Sequence, residues 1–186
     1  MSLSLFRQDE PMTEAEPTDV ASLAGSYGRL VFRAAYRVLG NAGQAEDVQQ
    51  EVFLRLLEKP VGNIASWPGY LTTLATRLSI DRLRRHQRWQ RLIHVWRASV
   101  PAAFDSTEHD AIQAERARQL RLALCRLKPK EAECFTLRHL HGMEIAAIAQ
   151  ATKLTVNHVS VCLHRAARAL EARLNESENT TSPEVL

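Results

Sequence analysis

The segment 144–174 constrains the fold of this chain most strongly, because its apolar residues follow two helical periods separated by a break. Ile145, Ile148 and Ala149 lie at spacings i, i+3 and i+4, the pattern of one buried helix face. The three residues before Thr155 interrupt that pattern, and the hydroxyl of Thr155 is placed to cap a second helix. The second helix carries a longer apolar stripe, formed by Val156, Val159, Leu163, Ala166, Leu170 and Leu174.

The opposite face of the second helix is mostly polar, and it admits two interpretations. A short helix, a tight turn and a longer helix with a one-sided polar face form a helix-turn-helix, whose second helix enters the major groove of DNA. The alternative is an ordinary antiparallel helix pair inside an all-α domain. The pattern alone leaves both open, so the rest of the chain has to decide between them.

Charge is distributed unevenly along the chain, although the net charge is only +3. Residues 1–26 carry a charge of −4 and residues 169–186 a charge of −3, whereas residues 77–97 contain seven Arg and one Asp. These arginines wrap around a predicted helix too broadly to pair with Asp81 alone. Crowded guanidinium groups repel one another unless an anion neutralises them, and Arg binds phosphate bidentately. This stretch therefore predicts a phosphate-binding surface.

The composition excludes several classes of protein. A hydrophobic content of 45% is typical of a globular protein, and no apolar run approaches the ~20 residues of a membrane span. The three cysteines are odd in number and widely spaced, which argues against a disulfide framework, and no CxxC pair indicates a metal site. Residues 1–20 show no basic region followed by an apolar one, as a signal peptide would, so we expect a cytoplasmic protein. No Gly-rich phosphate loop, HExxH motif or nucleophile elbow is present, so we expect no enzymatic activity, cofactor or bound metal.

Helical periodicity without strand-like alternation predicts an all-α fold of two small helical domains joined by a linker. We expect a disordered leader at 1–18, a first domain at 19–91, a linker at 92–109, a second domain at 110–174 and a disordered tail at 175–186. The outer face of the helix predicted at 44–58 is acidic and rich in amides, so it suits a protein partner better than DNA. Trp96 and Phe104 are unusually apolar for a linker, which suggests that part of it docks on a partner.

Two blocks of the sequence carry motifs of a known family. The first is GNAGQAEDVQQEVFLRLLEKP, followed by WPGYLTTLATRLSIDRLRRHQR. The second is LRLALCRLKPKEAECFTLRHLHGMEIAAIAQATKLTVNHVSVCLHRAARAL. They resemble regions 2 and 4 of the extracytoplasmic-function sigma factors, the compact branch of the sigma-70 family, and together cover roughly residues 20–174. The resemblance implies a protein that binds bacterial core RNA polymerase and directs promoter recognition and transcription initiation.

The resemblance also implies a role for three groups of residues. The surface that grips core RNA polymerase would consist of Asp47, Gln50, Glu51 and Leu54. The −10 element of promoter DNA, with its flipped base, would be held by Asn63, Trp67, Arg77, Arg84, Arg85 and Arg88. The −35 element would be read by Asn157, His158, Ser160, Val161, His164, Arg165 and Arg168.

Three positions differ from the pattern of the family. Arg77 stands where the family usually has Asn, and Ser160 and Cys162 stand where the recognition helix usually carries Lys or Arg. Fewer cations on that helix should lower its non-specific affinity for DNA. The resemblance further implies that an anti-sigma factor is a partner, and that the chain itself does not insert into a membrane.

Two other functions compete with this interpretation. A stand-alone helix-turn-helix regulator would bind promoter DNA without polymerase, usually as a dimer on a palindrome. Such a regulator would not need the first block, which is the feature that discriminates the two. A helical adaptor with no role on DNA would leave the run of arginines unexplained.

Overall fold

The chain is all-α, as predicted, over the residues that the structure describes. That structure, a computed structural model, describes 19–59, 61–62, 64–94 and 108–179, with 91–94, 108–111 and 173–179 described by backbone only. These ranges contain no strand. The helices are α1 (Val20–Leu39), α2 (Ala42–Glu58), α3 (Trp67–His94), α4 (Glu108–Arg126), α5 (Pro129–His139), α6 (Ile145–Thr152) and α7 (Val156–Asn179).

Helices α1, α2 and α3 form an N-terminal unit around one apolar core. Each helix contributes residues three or four positions apart, so each turns one face inward. Val31 and Ala35 of α1, and Val48 and Val52 of α2, are completely buried, as is Leu71 at the start of α3. Full burial of each Val or Leu side chain contributes about 1.5–3 kcal/mol to the stability of the fold.

Local capping signals set the ends of these helices. Gly40 adopts a left-handed conformation (φ 67°) and donates its N–H to the carbonyl of Tyr36 at 2.7 Å, which ends α1. The Asn41 side chain accepts the N–H of Gln44 at 2.9 Å, so α2 begins at residue 42, two residues before the predicted start. The hydroxyl of Ser66 accepts the N–H of Gly69 at 3.3 Å and caps α3, as predicted.

Helices α4 to α7 form a C-terminal unit that contains the predicted helix-turn-helix. Lys153 ends α6 in a left-handed conformation (φ 58°), and the hydroxyl of Thr155 accepts the N–H of His158 at 3.2 Å to cap α7. Both signals had been visible in the sequence as a break and a cap. The small core behind this turn consists of Cys134, Leu137, Ile148, Ala149, Val159 and Cys162.

The two units pack directly against each other. Val38 of α1 and Ile80 of α3 are buried in one cluster with residues of the C-terminal unit. Those partners are Ala123, Leu124, Leu127, Ala132, Ala166 and Leu170. Helix α3 therefore lies between two cores, one on each side. The sequence had indicated two domains joined by a linker, but nothing in it had indicated that they touch.

Helix α3 is buried on several sides, and its buried hydroxyl groups form hydrogen bonds within the helix. Thr73, Thr76 and Ser79 are buried, and each donates to the backbone carbonyl four residues earlier at 2.7–2.8 Å. A buried hydroxyl without a partner would be costly, and this local bond gives each hydroxyl an acceptor within its own helix.

Two expected boundaries differ from the helix ends. Helix α3 continues to His94 and α4 begins at Glu108, so both enter the range expected for the linker. Helix α7 continues through Asn179, beyond residue 174 and into the range expected for a disordered tail. The leader at 1–18 and the linker residues Trp96 and Phe104 lie outside the described residues.

Candidate polymerase and DNA-binding surfaces

The outer face of α2 combines acidic, amide and apolar groups. Asp47, Gln50 and Leu54 are exposed, and Glu51 is partly buried in an ion pair with Arg55 at 2.7 Å. Asp47 pairs with Arg82 of α3, which fixes the carboxylate at one edge of this face. The structure thus brings together all four residues expected on this surface.

Leu57 extends this face and was missed by the sequence analysis. It is 60% exposed, and Leu54, one turn earlier, is 57% exposed. Two leucines at spacing i, i+3 on the outside of a helix are unusual when the inner face is already filled by Val48, Val52 and Leu56. The spacing alone could have revealed this pair, because it lies outside the inward stripe.

The segment before α3 was expected to hold a base of the −10 element. Asn63 lies outside the described residues. Trp67 is partly buried, packs on the core of the N-terminal unit and makes an edge-on contact with Tyr70, with ring centroids 6.1 Å apart. The Trp67 indole therefore packs at the start of α3, and it also borders the segment before this helix.

The arginines expected at the −10 element fall into two groups. Arg85 and Arg88 are exposed on α3, next to Trp89, whose side chain is 62% exposed. Arg77 forms an ion pair with Glu133, and Arg84 donates to the backbone carbonyl of Leu127 at 2.9 Å. The expectation that this stretch faces an anion stays a prediction. In this conformation, groups of the C-terminal unit neutralise Arg77 and accept a hydrogen bond from Arg84.

Helix α7 presents the predicted polar face. All seven residues expected at the −35 element are exposed: Asn157, His158, Ser160, Val161, His164, Arg165 and Arg168. The Ser160 hydroxyl donates to the carbonyl of Val156 at 3.0 Å, so its donor is engaged within the helix. The remaining side chains of this face form a mixed surface with cationic, amide and apolar groups.

Two predictions on α7 are wrong. Cys162 is 4% exposed and belongs to the helix-turn-helix core, so it is no DNA-facing position and a cation there would be buried. Val156 is 54% exposed and does not belong to the buried stripe. The stripe begins one turn later and runs through Val159, Cys162, Ala166 and Leu170, at spacings of three, four and four.

Two of the three cysteines, Cys134 and Cys162, are core residues. Burial raises the pKa of the Cys134 thiol to about 12, and the neighbouring thiol of Cys162 adds to the shift. Within the described ranges no group of three or more His, Cys, Asp or Glu side chains could hold a metal ion. In the same part of the chain, no helix is both long and apolar enough to cross a membrane.

A cavity of about 440 Å³ separates the two units where the segment before α3 meets α6. One wall contains Val61, Ile64 and Arg77, and the other contains Met143 and Gln150. The surface expected to hold the −10 element therefore faces the helix-turn-helix. This juxtaposition depends on tertiary packing and had no counterpart in the sequence pattern.

Two family models match the chain, one over the N-terminal unit and one over the C-terminal unit. The model for sigma-70 region 2 matches residues 23–89, and the model for sigma-70 region 4 matches residues 117–170. The first covers α1 to α3 almost completely, and the second begins in α4 and ends in α7.

Curated relatives of the chain are described as ECF RNA polymerase sigma factors. The chain is 33% identical over 179 residues to the probable ECF RNA polymerase sigma factor SigI of Mycobacterium tuberculosis, covering 93% of this chain and 59% of that protein. It is 22% identical over 194 residues to the ECF RNA polymerase sigma factor SigW of Bacillus subtilis, covering 95% of this chain and all of SigW. The chain thus spans about three fifths of SigI and the full length of SigW.

Among solved structures, the extracytoplasmic function sigma factor SigJ of Mycobacterium tuberculosis matches with a TM-score of 0.45 at 23% identity. The match covers 82% of this chain and 53% of SigJ. Both family models and the curated relatives agree, and the chain belongs to the extracytoplasmic-function branch of the sigma-70 family.

Proposed function

We propose that this chain is a promoter-specificity subunit that binds bacterial core RNA polymerase and directs transcription initiation in the cytoplasm. One observation carries the proposal: a region 2 unit and a region 4 helix-turn-helix occur in one chain, in that order. A stand-alone regulator would need only the second unit. The chain contributes binding surfaces, and the polymerase contributes the catalysis.

The α2 face is the proposed contact with core polymerase. Asp47, Gln50 and Glu51 provide acceptors and an amide, while Leu54 and Leu57 provide an exposed apolar pair. Apolar anchors surrounded by polar groups are typical of protein–protein contacts. Both carboxylates of this face are already paired with arginines, so the face offers no surplus of positive charge to DNA phosphates, and a protein partner fits it better.

The −10 element is proposed to bind along the segment before α3 and along α3 itself. Arg85 and Arg88 are free to contact phosphates, and the exposed ring of Trp89 offers a stacking surface for a base. We propose that Asn63 and Trp67 contact the flipped base, and that Arg77 and Arg84 complete the set once they are released from the C-terminal unit. Unstacking a base costs a few kcal/mol, which such contacts have to supply.

The −35 element is proposed to bind the polar face of α7 in the major groove. The seven residues proposed for this contact lie on the helix that a helix-turn-helix inserts into DNA: Asn157, His158, Ser160, Val161, His164, Arg165 and Arg168. Arg165 can pair bidentately with a guanine edge, and Val161 can touch a thymine methyl group. His158 and His164 add donors at the same surface.

The domain organisation follows from these roles. We propose that residues 19–91 form the unit for polymerase and the −10 element, and that residues 110–174 form the unit for the −35 element. The remaining segments, 1–18, 92–109 and 175–186, connect or flank them. Membership of this family also makes an anti-sigma factor a proposed partner, and Trp96 and Phe104 are apolar side chains it could cover.

Run-off transcription tests the proposal. The purified chain is added to core polymerase with fragments of its own genome as templates, and transcripts are mapped. We expect discrete start sites that appear only when both the chain and core polymerase are present. Specific binding to duplex DNA by the chain alone, together with no transcripts in the presence of core, would show a stand-alone regulator instead.

A further inference from the structure

The turn between α6 and α7 holds a lysine in a backbone conformation that favours glycine. Lys153 has φ 58° and ψ 37°, in the left-handed region. A Cβ atom is crowded by the following carbonyl oxygen in this region, so the conformation costs free energy for a residue such as lysine. The other positive-φ positions among the described residues are Gly40 and Gly142. Lys153 is therefore the exception within this part of the chain, and a strained residue of this kind points to a role for its side chain.

Hydrogen bonds of the main chain impose the left-handed conformation at position 153. The N–H of Leu154 donates to the carbonyl of Ala149 at 3.0 Å, and the N–H of Lys153 donates to the carbonyl of Gln150 at 3.3 Å. Together these bonds form the Schellman motif that ends many helices. The Leu154 side chain packs on the small core behind the turn. The Lys153 side chain takes part in none of these contacts, so a glycine would preserve them all.

The Lys153 ammonium group has no anionic partner. Its side chain is exposed, and residues 145–170 contain no Asp or Glu. Lys153 also borders the cavity between the two units, and the described residues that line this cavity include no Asp or Glu. No ion pair within the described ranges therefore uses this charge, which stays available to an anion from outside the chain.

The charge of Lys153 lies at the end of the helix-turn-helix that is poor in cations. Helix α7 begins at Val156, and its first Arg or Lys is Arg165, about 14 Å further along the helix axis. The first turns of a recognition helix contact base edges, and groups beside them contact the phosphate backbone. Lys153 lies two residues before the Thr155 cap and is the cation nearest in the chain to this start.

We propose that Lys153 contacts a phosphate of duplex DNA at the −35 element, and that its strained backbone conformation is tolerated because of this contact. The proposal rests on the proposed function, since that function places α7 in the major groove. A lysine carries a compact charge on a flexible stem, which suits a phosphate that lies to one side of the helix axis. The contact adds affinity and fixes the position of α7 on DNA, but it reads no base.

Three substitutions at position 153 separate the charge from the strain. Lys153→Gln removes the charge and keeps the Cβ atom, Lys153→Gly removes both, and Lys153→Arg keeps both. Lys128→Gln is the matched control. Lys128 is an exposed lysine of the same unit that precedes α5, outside the helix-turn-helix, and its substitution changes the net charge equally.

Urea denaturation of the full chain measures the strain. Relief of a left-handed Cβ favours the folded chain by a factor of roughly 5–30, and the greater freedom of glycine in the unfolded chain offsets a factor of roughly 2–5. We therefore expect Lys153→Gly to lower the equilibrium constant for unfolding about fivefold. Lys153→Gln and Lys153→Arg should match the wild type, because both keep the Cβ atom.

Binding to duplex DNA at several salt concentrations measures the phosphate contact. The full chain is assembled with core polymerase and titrated onto promoter fragments that end between the two elements and so carry only the −35 element. Lys153→Gly and Lys153→Gln should bind about five- to tenfold more weakly at low salt. Their plots of log affinity against log salt should be less steep by about 0.9, the value for one phosphate contact. The loss should be equal on every −35 sequence, and Lys153→Arg and Lys128→Gln should stay close to the wild type.

Lys153→Gly is the decisive variant, because its stability and its DNA affinity should change in opposite directions. Wild-type affinity and salt dependence in both Lys153→Gly and Lys153→Gln would overturn the contact. A loss confined to Lys153→Gly would assign the effect to the rigidity of the turn, and an equal loss in Lys128→Gln would make it a general effect of charge. A loss seen only on templates with a melted −10 strand would place the ammonium group at the other element. If Lys153→Gly is no more stable than the wild type, the strain is not real.

Failure of the proposed function has a different signature. The wild-type chain itself would then form no complex with core polymerase. The same salt titration, made with the chain alone on duplex DNA, would still compare the Lys153 variants with Lys128→Gln and decide whether the ammonium group contacts a phosphate.

Discussion

Arg165 is the residue of α7 best suited to read a base. Its side chain is exposed on the polar face, one helical turn from Val161 and Arg168. If it pairs with a guanine edge, Arg165→Ala should cost about 1–3 kcal/mol and relax preference at one position of the −35 element. Binding of the holoenzyme to a set of single-base promoter variants measures this.

The pattern across those variants separates two roles for Arg165. A loss concentrated at one base position indicates readout of that base. An equal loss on every promoter variant, with a smaller dependence on salt, would instead place the guanidinium on a phosphate.

The packing of the two units against each other should depend on pH through His141. Burial lowers the pKa of its imidazole to about 4, and the positive charge of Arg37 adds to the shift. Arg33 and Arg37 of α1 face it across a small cavity, while α3 contributes only the uncharged hydroxyls of Thr72 and Thr76. Every charge described around this ring is therefore positive and opposes protonation.

The sign of the effect follows from this lowered pKa. Separated units would return the ring to an ordinary pKa of 6.5, so closure has its full stability above pH 6.5 and loses it as pH falls towards 4. At pH 5.5 the loss is about 1.4 kcal/mol, or roughly tenfold in the ratio of closed to open chains. Scattering between pH 7.5 and 5.5 should show expansion in the wild type and in a His86→Gln control. In His141→Gln the change with pH should disappear; an unchanged pH response there would refute the assignment to this histidine.

Helix α2 is the element whose exposed face is proposed to bind polymerase. Gln50→Ala combined with Glu51→Ala should weaken binding to core polymerase by about 1 kcal/mol or more, because it removes polar groups around the leucine pair. Titration of fluorescent chain with core polymerase gives the dissociation constants. Glu115→Ala combined with Gln119→Ala removes an equivalent acid and amide from α4 and should leave the constant unchanged. Equal affinity of the α2 double variant and the wild type would exclude this face as the contact.

One glycine inside α1 and the glycine that ends it should respond in opposite directions to alanine. Gly25 lies within α1 with open space where a Cβ would stand, so Gly25→Ala should stabilise the chain by about 0.5–1 kcal/mol. Gly40→Ala should destabilise it, because φ is positive there and the Arg121 guanidinium fills the space. Urea denaturation of both variants gives the free energies of unfolding. A destabilised Gly25→Ala variant would contradict the open surface described at that position.

The elements that could be predicted from the sequence are those fixed by local chemistry. Ser66 and Thr155 cap helices because their hydroxyls accept N–H groups three residues ahead, and Gly40 ends α1 because it tolerates a left-handed turn. Which residues of α7 face the core was harder to predict. Leu163 and Cys162 both lie near the apolar side, and only packing against α5 makes Cys162 the more deeply buried of the two.

The arrangement of the whole molecule depends on contacts that no local pattern reveals. Arg37 meets the carbonyl of Leu140, 103 positions away, and Thr76 meets His141, 65 positions away. A backbone carbonyl that accepts a hydrogen bond from an arginine, such as that of Leu127, cannot be identified from the sequence. The run of arginines was therefore interpreted as a phosphate site throughout, although Arg77 and Arg84 contact the C-terminal unit in the closed chain.

The same contacts decide which of the proposed surfaces are exposed. The α2 face and the polar face of α7 are accessible, while the segment before α3 faces α6.

Selection of transcribed promoters from a random DNA library, with core polymerase and the purified chain together, tests the central claim most directly. The account predicts that the recovered sequences share two separate elements upstream of the start site. It also predicts that Arg165→Ala alters only the distal element and that Arg85→Ala and Arg88→Ala weaken the proximal one. Recovery of one palindromic element that the chain binds without core polymerase, and no transcripts that depend on the chain, would contradict it.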